Sequence, residues 1–327
     1  IRNCAHTPTT LPTYKYTINK RPLTLTTTMT GTSPYIYNTS HQGLDKVSLN
    51  QGTSTDNVGL LQDDSVKINI SGSVSKTLTF KNTYTQSAGI STIDAGTYSV
   101  SFALSGNNNY TLSVSPTSKT EWTINQYVVK VGNLNVGTDK VYDALAVVPT
   151  ISIEGMSGDG KTFTYHNDTV TISYSITKVG GTSYSGNKLV NAGQYTISIG
   201  GTNSGSIKAN RTGTSTDTSK NYTFGNTTQN ATYTIAPCPI EIVWEMKTFV
   251  YNASNQMLSI SGIKIGENDT VVAVFSADKV KGLGDDTLVF NRTGGGTDVG
   301  VNHTTTAELA SVSGTNDEVP SIRENYT

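Results

Sequence analysis

Four histidines, two cysteines and 24 Asp and Glu side chains are the groups of this chain that could hold a metal or move a proton. His6, His41, His166 and His303 lie in turns rich in Thr and Asn. None has the His-x-His or His-x-x-x-His spacing that puts two imidazoles on one face, so no zinc centre is expected. Acidic groups stand at Asp63-Asp64, Glu267-Asn268-Asp269 and Asp285-Asp286. These could take calcium between domains, but none has the ligand spacing of an EF-hand loop, and Asp at the start of a strand is more often a plain turn residue. No Gly-x-Ser-x-Gly, no phosphate-cradling loop and no spaced Ser/His/Asp set occurs. Nothing singles out a pair of carboxylates for glycoside hydrolysis. No catalytic residue and no cofactor are therefore expected.

The totals narrow the field further. The chain has 327 residues, with a net charge of -1 and 14% charged residues. No basic field attracts nucleic acid or an acidic membrane surface. No run is long and apolar enough for a membrane-spanning helix. Cys4 and Cys238 are too few for a disulfide framework. Asn-x-Ser/Thr triplets at Asn69, Asn210, Asn226, Asn230, Asn252, Asn291 and Asn302 leave glycosylation open, although composition alone produces most of them. Tyr35, Tyr165 and Tyr184 could stack on sugars or simply form cross-strand pairs.

The elements that would position these groups are strands. Thr and Tyr favour strands, Gly and Asn favour the turns between them, and long helix-forming windows are absent. In Asn191-Ala192-Gly193-Gln194-Tyr195-Thr196-Ile197-Ser198-Ile199 a tight turn is followed by period-2 alternation, with Tyr195, Ile197 and Ile199 on one face. A near-copy is Asp94-Ala95-Gly96-Thr97-Tyr98-Ser99-Val100, and a degenerate one is Asp298-Val299-Gly300-Val301-Asn302-His303. Other signals recur with it. They are Val-Tyr-Asp-like turns at Tyr37, Tyr142 and Tyr251, and Asn-Tyr-Thr at Asn109, Asn221 and Asn325. Acidic turns open strands at Asp64, Asp168 and Asp269. Hand-over segments run Tyr16-Thr17-Ile18, Trp122-Thr123-Ile124 and Tyr233-Thr234-Ile235. The period of about 105–110 residues is the size of one Greek-key sandwich of roughly seven strands. The spacing predicts repeats over 16–123, 124–234 and 235–327, preceded by an extension over 1–15. The prolines at the hand-overs predict a stiff tandem rod.

The Val-Tyr-Asp start, the Asn-Ala-Gly-x-Tyr-Thr strand, Asn-Tyr-Thr-Phe and the Tyr-Thr-Ile-x-Pro hand-over resemble the bacterial surface repeats called YDG and MBG domains. That resemblance implies tandem immunoglobulin-like sandwiches, a secreted or surface location, and scaffold or adhesion roles. It supplies no catalytic motif.

The two ends do not match. Asn109-Tyr110-Thr111 and Asn221-Tyr222-Thr223 are each followed by a closing strand, whereas Asn325-Tyr326-Thr327 is not. Tyr16-Thr17-Ile18 reads as a closing strand with no repeat before it. A sandwich lacking an edge strand invites strand addition. The expectation is that residues around Leu11, Tyr14, Tyr16 and Ile18 of one subunit complete the third repeat of another, giving a filament. Cys4 could then meet Cys238 of the acceptor in an oxidising setting, or both cysteines are free. The other readings are an arbitrary segment of a longer array, completion of the chain's own last repeat, and an adhesin fragment that binds a host protein or glycan.

Overall fold

The computed structural model describes residues 13–155, 161–180, 183–184, 188–200, 206–225, 228–276, 278–300 and 302–327. The chain is all-β, built as tandem Greek-key sandwiches; its only helical pieces among the described residues are two single-turn 3-10 segments, Ser219–Asn221 and Arg323–Asn325. Compactness divides it into two units, Ile1–Tyr127 and Val128–Thr327.

In the first unit two sheets face each other. One has the order Thr85–Thr92, Gln42–Leu49, Arg21–Met29, Tyr110–Val114. The other has the order Tyr35–Ile36, Glu121–Asn125, Gly96–Ser105, Ser65–Gly72, Lys76–Lys81. The alternation in sequence becomes two faces. Along Ser65–Gly72, Val66, Ile68 and Ile70 are buried while Lys67, Asn69 and Ser71 are exposed. Leu23, Leu25, Val47, Phe80, Ile90 and Trp122 fill the space between the sheets. The insertion around Asn50–Asn57 is tied down by Arg21, whose guanidinium donates to the carbonyls of Gly59 at 2.7 Å and Thr53 at 2.8 Å.

Two pairings define the topology. The opening strand Arg21–Met29 runs parallel to Tyr110–Val114, with Arg21 N donating to Asn109 O at 2.8 Å. The closing strand Glu121–Asn125 lies between two rails. It is parallel to Tyr35–Ile36, with Tyr35 opposite Ile124, and antiparallel to Gly96–Ser105, with Gly96 opposite Ile124.

The second unit repeats both pairings. In its middle part the closing strand Thr228–Ala236 lies parallel to Lys140–Val141 (Lys140 opposite Ile235) and antiparallel to Gly193–Gly200 (Gly193 opposite Ile235). Val129 N donates to Thr223 O at 2.7 Å, and further along Cys238 N donates to Asn325 O at 2.8 Å. The last part is a six-stranded antiparallel run in chain order: Ile240–Trp244, Ile260–Ile265, Asn268–Ser276, Lys279–Lys281, Thr287–Gly294 and Thr305–Ser313. A hairpin, Thr315–Asn316 with Val319–Pro320, follows; Asp317 and Glu318 both have positive φ at its two-residue turn.

One expected correspondence is corrected. An acidic turn does open the strand Asn268–Ser276, but Asp269 is not the counterpart of Asp64. Asn268 pairs with Ile265 across a short hairpin. The counterpart of Leu61-Gln62-Asp63-Asp64 is Leu283-Gly284-Asp285-Asp286. In both, the Asp N–H closes a turn onto the Leu carbonyl, at 3.2 Å for Asp64 and 2.9 Å for Asp286. In both, the Leu N–H reaches the Tyr hydroxyl of the Asn-Tyr-Thr strand, at 3.4 Å to Tyr110 and 2.8 Å to Tyr326. Two acidic turns of similar composition lie in one repeat, and only the tertiary pairing tells them apart.

Candidate functional site

The residues first considered for chemistry are scattered. His41 Nδ1 lies 3.1 Å from Ser91 Oγ, the His166 ring packs edge-on against Tyr165, and His303 Nε2 lies 2.9 Å from the carbonyl of Asp298. His6 lies outside the described residues. Among the described residues no three His, Cys, Asp or Glu side chains gather as a metal site would require. Tyr35 and Tyr165 are half-buried; Tyr165 packs edge-on to Tyr222, at 6.0 Å, on a strand of another sheet. The side chain of Tyr184 lies outside the described residues. Cys238 is buried and bonded to no cysteine among the described residues, and burial pushes its thiol pKa up. Cys4 and Leu11 lie outside the described residues. Tyr14, Tyr16 and Ile18 belong to no strand and are 83%, 84% and 83% exposed.

Two features built by the repeat do stand out. The first is a strand slot. In each of the first two repeats the closing strand drops two side chains into the core, Trp122 and Ile124 or Tyr233 and Ile235. The rail beside it carries a tyrosine, Tyr37 or Tyr142, at 0% and 1% exposure. Each rail continues the parallel ladder: Tyr37 N donates to Asn125 O at 2.9 Å, and Tyr142 N to Ala236 O at 2.8 Å. In the last repeat the corresponding tyrosine, Tyr251, is 61% exposed, with Val250 beside it in the open. Residues 245–252 form no strand, and among the described residues no strand pairs with the outer edge of Thr305–Ser313. Between the segment at Tyr251 and the turn at Asp298-Val299-Gly300 lies a cleft of about 440 Å³, lined by Phe249, Tyr251, Leu258 and Val299 together with polar groups such as Lys247 and Gln256. Counting from the tyrosines, Phe249 takes the place of Tyr35 and Lys140. The open cleft is therefore where a closing strand sits in the other two repeats.

The second feature is a buried polar joint inside the Val128–Thr327 unit. The carboxylate of Asp286 accepts from the hydroxyls of Tyr142 and Tyr326, both at 2.7 Å, and from Asn316 Nδ2 at 2.7 Å; Ser321 also donates to it. Tyr142 comes from the rail of the middle repeat, and the other groups come from the last repeat. The two phenol rings meet edge to face at 5.5 Å. Beside them the Asn191-Ala192-Gly193 turn is held by Asn325. Ala192 N donates to Asn325 Oδ1 at 2.8 Å, Asn325 Nδ2 donates to Asn191 Oδ1 at 2.9 Å, and Asn191 Nδ2 reaches Pro320 O at 2.9 Å. At the rim, Asp317 accepts from Ala146 N at 3.1 Å and pairs with Lys188 at 3.2 Å; the hydrogen bond from Lys188 holds its carboxyl below the usual carboxylate range.

Sequence reasoning treats Tyr142, Asn191, Asp286 and Asn325 as repeat markers and does not pair them. The available signal is the recurrence of Leu-x-Asp-Asp before a strand together with the Asn-Tyr-Thr tyrosine, which meet as Tyr110 with Asp64 and as Tyr326 with Asp286. Tyr222 with Asp168, at 2.9 Å, makes the same pair in the middle repeat.

The joint has a pH signature. Burial, and then the hydrogen bond to Asp286, push the phenols of Tyr142 and Tyr326 well above the ordinary tyrosine value. A pKa raised on folding stabilises the neutral form. Their contribution is thus complete below the unfolded value of about 10 and is lost as pH climbs towards the folded values. Ultraviolet absorbance of tyrosinate, followed beside circular dichroism as pH rises, checks this. Tyr142 and Tyr326 should ionise only as the unit unfolds. Ionisation of every tyrosine with unchanged circular dichroism would contradict this.

No protein-family model matches the sequence, and no curated protein matches it. Among solved structures, the three N-terminal domains of the bacteriophage RB49 Highly Immunogenic Outer Capsid protein (Hoc) are similar at 11% identity and a TM-score of 0.20, over 89% of this chain and 84% of that one. A superposition this loose carries no residue of one protein onto a role in the other.

Proposed function

We propose that this chain is a non-catalytic extracellular structural protein, a subunit of a surface filament or stalk whose copies join head to tail by β-strand complementation. One observation carries the reading: where the closing strand lies in the first two repeats, the last repeat has a cleft lined by Phe249, Tyr251, Val299 and Gly300, with Tyr251 in the open. The occupant is the Tyr16-Thr17-Ile18 segment of a second copy. Its pattern is that of Trp122-Thr123-Ile124 and Tyr233-Thr234-Ile235, and it is exposed and outside any strand.

In the register of the first two slots, Ile18 falls between Phe249 and Gly300, and Tyr16 faces inward beside it. Burying those two side chains is worth roughly 1.5–3 kcal/mol each, and each new ladder hydrogen bond adds about 1 kcal/mol. Such a contact joins two different surfaces, so it propagates into a linear assembly instead of closing as a dimer. The low charge and the Thr- and Asn-rich outer faces suit a solvated fibre. The resemblance to secreted bacterial repeats supports the same location.

Sedimentation velocity across a concentration series, with electron microscopy of the same material, tests the reading. The intact chain should form linear oligomers one subunit thick. Ile18→Asp, placed on an exposed residue and so harmless to folding, should remain monomeric. A wild-type chain that stays monomeric at high concentration would overturn the proposal, as would an Ile18→Asp variant that assembles equally well.

A further inference from the structure

The joint between the middle and last repeats says more than that repeats can stack. It shows which groups of a following repeat meet the rail tyrosine and the turn of the repeat before it. We infer that the interface between two copies of this chain is pinned by the same chemistry: the Tyr251 hydroxyl of one copy donates to the Asp64 carboxylate of the next, and the Asn109 side chain of that next copy holds the Asp298-Val299-Gly300 turn. This rests on the head-to-tail reading above and names its specificity contacts.

The argument is one of equal spacing. Within the chain, Ile235 lies in the slot, and three residues later Cys238 N donates to Asn325 O. That link brings Tyr326 and its partner Asp286 against Tyr142. At the head of the chain Ile18 is followed three residues later by Arg21, whose N–H donates to Asn109 O in the same way. Tyr110 and its partner Asp64 then follow in the places of Tyr326 and Asp286. Seating Ile18 in the open slot therefore presents Asp64 to Tyr251 as seating Ile235 presents Asp286 to Tyr142.

Exposure fits this at both ends. The groups already in the internal joint, Tyr142, Ala192, Asp286 and Asn325, are buried. Their counterparts in the first and last repeats are not: Tyr251 and Val299 are open, Asn109 is exposed, and Asp64 is half-exposed. Val299 N stands where Ala192 N donates to Asn325 Oδ1, so Asn109 Oδ1 is its acceptor in the next copy. A carboxylate that accepts from two phenols forms the stronger, charge-assisted kind of hydrogen bond, and it excludes partners that lack an acceptor at that point.

The test is the assembly constant of the full chain by sedimentation equilibrium, for wild type, Tyr251→Phe, Asp64→Asn and the double variant. Tyr251→Phe removes one exposed hydroxyl and leaves the monomer intact. Each single variant should weaken assembly roughly tenfold, and the double variant should be no weaker than the worse single. Tyr251→Phe at wild-type strength, with Ile18→Asp still monomeric, would overturn the pin and leave strand complementation standing. Strictly additive losses in the double variant would also overturn it. A wild-type chain that does not assemble removes the head-to-tail reading and the pin together.

Discussion

Replacing Asp286 by alanine is expected to lower the unfolding free energy of the Val128–Thr327 unit by about 3–5 kcal/mol. The carboxylate is 0% exposed and accepts from Tyr142, Tyr326 and Asn316 at 2.7 Å each. Alanine strands two phenols and an amide in a buried site, and each stranded group costs on the order of 1–3 kcal/mol. Asp286→Asn keeps the shape and one acceptor oxygen, so its loss should be smaller. Denaturant unfolding followed by circular dichroism measures both. If alanine costs less than about 1 kcal/mol, the joint is not the buried, fully satisfied network described above.

Trp122→Ala is expected to cost the first unit a comparable 3–5 kcal/mol, or roughly what a large aromatic contributes in a well-packed core. Trp122 is 1% exposed, stacks on Tyr98 at 5.5 Å, and donates its indole N–H to Thr92 Oγ1 at 3.2 Å. It also lies against Gly43, where a β-carbon would stand 3.2 Å from the ring. The exposed neighbour Glu121, on the same strand, should tolerate alanine within about 0.5 kcal/mol. The contrast measures what the inward side chains of a closing strand supply to a slot. Equal losses at Trp122 and Glu121 would mean that backbone pairing alone carries the closing strand, and an aromatic-Thr-Ile donor would then have no advantage over another edge strand.

Much of this molecule is legible without coordinates because its information is local. Alternation along Ser65–Gly72 or Gly193–Gly200 states which side chains go inward, since successive residues of a strand face opposite ways. Turn residues, aromatic-Thr-Ile segments and the recurring Asn-Tyr-Thr mark out like elements at a near-constant period. Asp269 and Asp286 show the limit. Two acidic turns within 20 residues have the same local chemistry, and only the approach of Tyr326 to Asp286 identifies the counterpart of Asp64.

What the sequence by itself determined is the all-β class, the repeated strand-and-turn units, and which strands carry inward aromatics, because short-range sterics and period-2 burial impose them. Only the tertiary structure decided that Tyr142 meets Asp286 across 144 residues, that Asn325 clamps the Asn191-Ala192-Gly193 turn, and that Tyr251 stands in the open beside a cleft. The physical reason is that a hydroxyl, a carboxylate or an amide has the same propensity whether it faces water or a partner. Which of these it faces depends on strands brought together by the whole fold.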